Sequence, residues 1–260
     1  MKFNIHFIPA IKILLIQTNI IHHCRSLCHR FTLIICLLLL KTSAITAQGW
    51  QCGDTLIDLR DGQKYPTVLI GSQCWMAKNL NIGDYVESIF TGSSHTDLNN
   101  NSIIEKYCYD NDTTNCLMYG GLYDWDEMTN YAPSVGAQLP DTVNRGICPV
   151  GWHIPSSGSS FGFIDSTKEW EILEQNYPLS IAALELKAGG NSGFNAQLGG
   201  YRNSFGRWDT VYTDMIFGGG RCGNYWSTTS SFANNKLGRT FHTNYDSLTV
   251  LYDNRLFGLS

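Results

Sequence analysis

Hydrophobic residues along this chain form one unbroken block, then short strand-like runs, then amphipathic stretches. The block is residues 31–40, Phe-Thr-Leu-Ile-Ile-Cys-Leu-Leu-Leu-Leu, short of the about 20 apolar residues that a comfortable membrane span takes. Downstream, residues 55–60 read as a strand followed by the turn signal Asp61-Gly62, and Tyr65–Ile70 as a second strand followed by Gly71-Ser72. Cys74-Trp75-Met76 is a third, shorter one. Residues 91–102 are polar and Asn-rich, which predicts an exposed loop. Leu122, Trp125 and Met128 or Thr129 share a helical face, so a short helix is expected within 121–130. The clearest helix starts at Ser166, where Ser166-Thr167-Lys168-Glu169 has capping-box form. Trp170, Leu173 and Tyr177 face inward, and Pro178 stops it. A further helix, Ile181–Ala188, ends at Gly189-Gly190.

Beyond residue 190 the chain turns to Gly, Asn, Ser, Thr and aromatics, with strands expected at Phe194–Leu198, Tyr225–Thr229, Arg239–Asn244 and Leu248–Tyr252. The implied class is α+β: two clear short helices among irregular antiparallel sheets and long loops.

Charge separates the front of the chain from the rest. Lys2, Lys12, Arg25, Arg30 and Lys41 precede residue 48, where there is no acid. Basic residues, an apolar block and then the small residues Ser43, Ala44 and Ala47 follow the order of a secretory signal. We expect residues 1–47 to be a leader cut after Ala47, with an uncleaved leader as the only route to a membrane, and 48–260 to be one domain. Cys52 follows Gly-Trp-Gln rather than an apolar, small-residue lipobox, which argues against a lipoprotein. Removing those five bases from the 18 leaves 13 against 22 acids, and an acidic body without a basic stripe excludes a nucleic-acid partner. With 12% aromatic residues the chain can bury a large core, which excludes disorder.

Cys52, Cys74, Cys108, Cys116, Cys148 and Cys222 remain after the leader, and cysteines outside the reducing cytosol point to disulfides. Cys108 and Cys116 enclose a tight polar loop and make the best pair; Cys52 with Cys74 is the next. Zinc is disfavoured, because no Cys-x-x-Cys occurs and His95, His153 and His242 are the only histidines beyond the leader. Asp110-Asn111-Asp112 offers oxygens for calcium but lacks the further acids and spaced Glu of an EF-hand, so we read it as turn-forming and expect no metal or cofactor. Asp124, Asp126 and Glu127 around Trp125 read as a solvated helix face rather than a glycosidase pair. His153, between Trp152 and Ile154-Pro155, reads as a hydrogen-bonded structural residue. No Gly-x-Ser-x-Gly elbow and no His-Glu-x-x-His is present, so hydrolase chemistry has no motif to rest on.

An ordered series of motifs resembles one known family. Asp61-Gly62-Gln63-Lys64-Tyr65-Pro66-Thr67-Val68 leads to Ile70-Gly71-Ser72-Gln73-Cys74-Trp75-Met76-Ala77-Lys78-Asn79-Leu80. Cys108-Tyr109-Asp110-Asn111-Asp112 runs on to Cys116, then Tyr119-Gly120-Gly121-Leu122-Tyr123-Asp124-Trp125. Cys148-Pro149-Val150-Gly151-Trp152-His153-Ile154-Pro155, Gly199-Gly200-Tyr201-Arg202-Asn203 and Tyr225-Trp226-Ser227-Thr228-Thr229 complete it. Over about residues 54–260 the chain is similar to the Fibrobacter succinogenes major paralogous domain family. The resemblance implies a secreted or surface-attached bacterial protein with a C-type-lectin-like fold, related to that of formylglycine-generating enzymes. It implies no settled activity.

Family members usually run on from a segment like Phe257-Gly258-Leu259-Ser260 into a strand carrying Val-Arg-Cys. Here that strand and its cysteine are expected to be missing, which leaves Cys148 and Cys222 either paired with each other or with one of them free. It also leaves a sheet edge exposed. A formylglycine-type oxidase would need a second cysteine near Cys222, and none lies nearby. The Glu-Pro-Asn and Trp-Asn-Asp sequences of calcium-dependent sugar-binding lectins are absent. Tyr201 and Trp226, within the motifs, are expected in the core.

Tyr and Trp interleaved with Asn make the composition of binding loops. The expected ligand-facing residues are therefore Arg207, Trp208, Asn234, Asn235, Tyr245 and Asp246. The expected function is non-catalytic binding of a surface glycan or protein; a structural subunit docking an incomplete sheet on its neighbour is the alternative.

Overall fold

The computed structural model describes residues 50–132, 144–160, 163–164, 166–209, 221–232 and 235–260. The leader lies outside them. No helix of the described residues is long and apolar enough to cross a membrane.

The first sheet has the order β1-β2-β3, from Thr55–Ile57 (β1), Lys64–Ile70 (β2) and Gln73–Met76 (β3), all antiparallel. Tyr65, Thr67 and Ile70 are buried from β2, while Lys64, Pro66 and Leu69 are exposed. β1 stops earlier than expected, because Asp58 opens a turn in which Gly62 N donates to its carbonyl at 2.7 Å. The Cys52–Cys74 disulfide fastens the start of β1 to β3.

Asp84–Tyr85 (β4) and Glu105–Lys106 (β5) pair in parallel, an exception to the expected antiparallel sheets. The Cys108–Cys116 disulfide forms as expected. The segment it closes is not a loop, however, but a 3-10 turn at Tyr109–Asn111 followed by a helix, Thr113–Tyr119 (α1). The Asp112 side chain caps α1 by accepting from Thr114 N at 2.8 Å. Sequence periodicity misses α1 because only Cys116 is buried on it, while Leu117 and Met118 are 72% and 61% exposed.

A short helix, Trp125–Met128 (α2), lies within the expected 121–130, N-capped by Asp124. The next helix is Glu169–Glu174 (α3), and the capping box is not made. Glu169 instead turns its carboxylate to Ser156 N and His153, while Ser156 receives Trp170 N on its carbonyl. Ser156 thus caps α3 from a distant loop, and the helix begins three residues later than Ser166. Ala182–Leu186 (α4) follows. The described residues therefore hold four α-helices, the three expected and α1.

Ser159–Ser160 (β6) pairs with Phe163–Ile164 (β7), and Tyr201–Arg202 (β8) with Trp208–Asp209 (β9). The strand expected at Phe194–Leu198 is replaced by one bridge, Lys187 to Ala196. The terminal sheet has the order β10-β11-β12, from Cys222–Phe232 (β10), Asn235–His242 (β11) and Thr249–Asn254 (β12). The edge of β10 away from β11 is engaged by three segments. Cys222 O accepts from Gly200 N, Ser260 exchanges bonds with Asn224 and Trp226, and Thr228 N donates to Pro155 O.

One core joins both large sheets and two helices: Ile70 and Trp75, Trp170 and Leu173, Ala183 and Leu186, and Tyr225 and Phe241, with Phe194 and Ala196 between. Trp170 packs within 5.3 Å of Trp75 and 6.3 Å of Tyr225, centroid to centroid. Arg239, 1% exposed, reaches Glu171 and Ser157 at 2.5 and 2.8 Å and also bonds Glu174, which pins α3 to β11 with its charge compensated. Two indoles tie α2 to the terminal sheet. Trp125 Nε1 donates to Ser227 O at 3.0 Å, and Trp226 Nε1 donates to Tyr123 O at 2.9 Å. Trp226 and Tyr201 are buried, as expected. Cys148 and Cys222 are buried and not joined to each other.

Candidate functional site

Among the described residues, the β8–β9 hairpin and the 85–90 loop together form an exposed aromatic surface. The hairpin turn is built by Asn203, whose Oδ1 accepts from Phe205 N at 3.0 Å and Arg207 N at 3.1 Å. Asn203 Nδ2 donates to Asp209 Oδ2 across the hairpin at 3.0 Å. Gly206 has φ +84°, and a Cβ there would lie 2.3 Å from Ile89 O. Only glycine allows the turn to lie this close to the 88–90 segment.

That segment is itself tied down. Ser88 N donates to Asn111 Oδ1 at 2.9 Å, and Asn111 Nδ2 returns a bond to Ser88 O at 3.0 Å. Asn111 has φ +54°, a left-handed conformation that Asn tolerates better than most residues. The disulfide-closed 108–116 segment therefore supports the loop that carries Ile89 and Phe90.

Onto this frame the chain places Ile89 (57% exposed), Phe90 (53%), Phe205 (45%) and Tyr85 (37%). The Arg207 guanidinium lies over the Phe90 ring at 4.2 Å. Trp208 is half-buried, tilted against Tyr109 at 5.6 Å and edge-on to Tyr107 at 6.3 Å. Beneath lies a small second core of Leu98, Tyr107 and Leu122. Apolar rings exposed on a fixed frame beside a guanidinium are the ingredients of a protein-recognition surface.

The six residues expected from sequence do not gather on one surface. Arg207 and Trp208 belong to this patch. Tyr245 and Asp246 pack on α4 instead: Lys187 Nζ donates to Tyr245 O at 2.8 Å, and Ala183 N donates to Asp246 O at 2.8 Å. Asn235 opens β11 opposite Phe232, and Asn234 lies outside the described residues. Phe90, Ile89, Phe205 and Tyr85 were missed. The available signal was the apolar pair Ile89-Phe90 at the edge of a long polar stretch.

The other chemical candidates have structural duties. Asp124 and Glu127 are 1% and 2% exposed, so the expected solvated acidic face is overturned. Asp124 accepts from Thr96 Oγ1 at 2.5 Å and Glu127 N at 2.8 Å, and Glu127 Oε1 accepts from Glu105 N at 3.0 Å. These acids point inward because they anchor the 96–105 loop to α2. Burial pushes Asp124 up to about 6 and Glu127 up to about 7, against the hydrogen bonds that favour their charge.

His153 Nε2 bonds Glu169 Oε1 at 2.5 Å, the structural role expected of it. Burial works against the Glu169 charge, but the His153 ring and the Ser156 amide both favour it, and the carboxyl is held at about 2. Cys222 is 0% exposed at the start of β10. Asp112 is committed to its helix cap, and no cluster of three or more His, Cys, Asp or Glu that could hold a metal ion occurs among the described residues.

A family model described as the Fibrobacter succinogenes major domain matches residues 68–252. No curated protein and no solved structure matches the chain.

Proposed function

Because the chain belongs to the Fibrobacter succinogenes major domain family, a family whose matched span includes the whole patch, we propose that it is an exported, non-catalytic binding protein. It presents the 85–90 loop and the β8–β9 hairpin to a protein at the cell surface. The observation that carries this reading is the Phe90–Arg207 stack, flanked by exposed Ile89 and Phe205. Such side chains on a monomer's surface cost solubility unless a partner covers them. Phe and Ile favour a protein over a glycan here, since neither offers a polar group to orient sugar hydroxyls. Two disulfides accord with an oxidising destination.

The test is a binding screen of the exported protein on arrayed surface proteins and glycans, beside the Phe90→Ser, Phe205→Ser double variant. Protein hits that the double variant loses would support the reading. Hits that survive in it, glycan hits alone, or silence on both arrays from a folded sample would overturn it.

A further inference from the structure

A second site lies within the main core and shares no residue with the patch. A cavity of 140 Å³ is walled by Trp75, Trp170, Phe194, Tyr225 and Trp226, with Cys148 and Ile154 among the remaining lining groups. Its size is that of a single ring: an apolar cavity of about 150 Å³ holds benzene.

Two polar features keep the space from being merely apolar. Trp170 Nε1 is buried and has no hydrogen-bond partner, an uncommon state for an interior donor. Met76, Lys78, Asn79 and Leu80 line the cavity from a half-exposed segment, as do Pro155 and Ser260, so the cavity opens to solvent along its rim. Lys78 is the only Lys or Arg in the lining, and it makes no ion pair among the described residues. His153, the other basic group of the lining, is engaged by Glu169. The Cys148 thiol is pushed up to about 12 by burial, so it lines the wall as a neutral group.

We propose that this cavity binds a one-ring aromatic carboxylate, its ring against the aromatic walls and its carboxylate on the Lys78 ammonium. The walls supply edge and face contacts for the ring, which are favourable beyond simple burial. The rim supplies the one cation that the acid needs. A larger acid would exceed the volume, and an aliphatic acid would forgo the ring contacts.

The test titrates phenylacetate into the intact protein, read by quenching of indole fluorescence and by the shift in melting temperature, with acetate and toluene as controls. Saturable binding of phenylacetate, with no response to acetate, is expected. Lys78→Met, a substitution at a half-exposed position, should weaken phenylacetate roughly tenfold, the worth of one charge-assisted hydrogen bond, and leave toluene unchanged. Equal affinity for phenylacetate in Lys78→Met would overturn the carboxylate assignment. An absence of saturable binding, or an equal response to acetate, would overturn the site. Because the patch substitutions lie elsewhere, neither result depends on whether the surface binds a protein.

Discussion

Arg202 Nη2 donates to Asp97 Oδ2 at 2.9 Å, and the arginine that does so is 0% exposed. The same guanidinium reaches Ser88 Oγ at 2.6 Å and the carbonyls of His95, Asn203 and Leu256, and it lies 4.4 Å from the Tyr107 centroid. One side chain thus gathers the 88–97 segment, the β8–β9 hairpin and the end of the chain. The exposed rings of the patch are held in place by a cation beneath them.

Replacing that cation should be costly. Arg202→Met leaves Asp97 without its buried partner and should destabilise the protein by about 3–5 kcal/mol. Arg202→Lys restores charge but not the planar fork of donors, and should recover less than half of the loss. Urea unfolding of the three proteins measures both; a Lys variant as stable as the wild type would refute the fork's role.

Gly206→Ala tests the frame without touching the rings. Its left-handed φ and the 2.3 Å approach of a Cβ to Ile89 O mean that hairpin and loop must part. We expect a loss of about 1–3 kcal/mol, and loss of any partner bound by the patch. A variant that binds like the wild type would show that the Ile89 contact does not fix the surface.

Opening either disulfide should weaken the fold by a similar amount. Chain entropy gives about 2.5 kcal/mol for the short Cys108–Cys116 ring and about 3.4 for Cys52–Cys74, whose residues are 22 apart. Paired Cys→Ser variants compared by thermal melting check the values. Only loss of Cys108–Cys116 should also impair binding, because that segment holds Ser88 through Asn111.

Two sets of buried carboxyls predict a stability maximum between acid and neutral pH. Asp124 and Glu127 titrate higher in the fold than in the unfolded chain. The stability they confer is therefore complete below the ordinary carboxylate range and is lost as pH rises through about 6 and 7. Glu169 is displaced the other way. Its contribution is present above the ordinary range and disappears as pH falls toward about 2. Glu127→Gln should be more stable than the wild type at pH 8, by about 1–2 kcal/mol, and flatter between pH 4 and 7. An unchanged pH profile would show that Glu127 is not the titrating group.

The sequence made the core more legible than the surface. Trp170, Leu173, Tyr201 and Trp226 are expected inward, and all are buried. Nothing local marks α1, because its stabilisation comes from a cap and a disulfide rather than from an apolar stripe. The inward turn of Asp124 and Glu127 escaped for a similar reason: their partners lie at Thr96 and Glu105, in a loop that composition reads as solvated. Phe90 was missed because its exposure depends on Arg207, 117 positions along the chain.

The exchange of indole bonds between α2 and the terminal sheet has a kinetic side. Trp125 and Ser227 are 102 residues apart, and Trp226 and Tyr123 are 103 apart. The first half of the chain cannot complete its own interior until residues from the last sixth arrive, and loops of that length close slowly. A chain interrupted before Trp226 would leave the Trp125 indole without its acceptor and the Tyr123 carbonyl without its donor. For this molecule, what is made last completes what is made first.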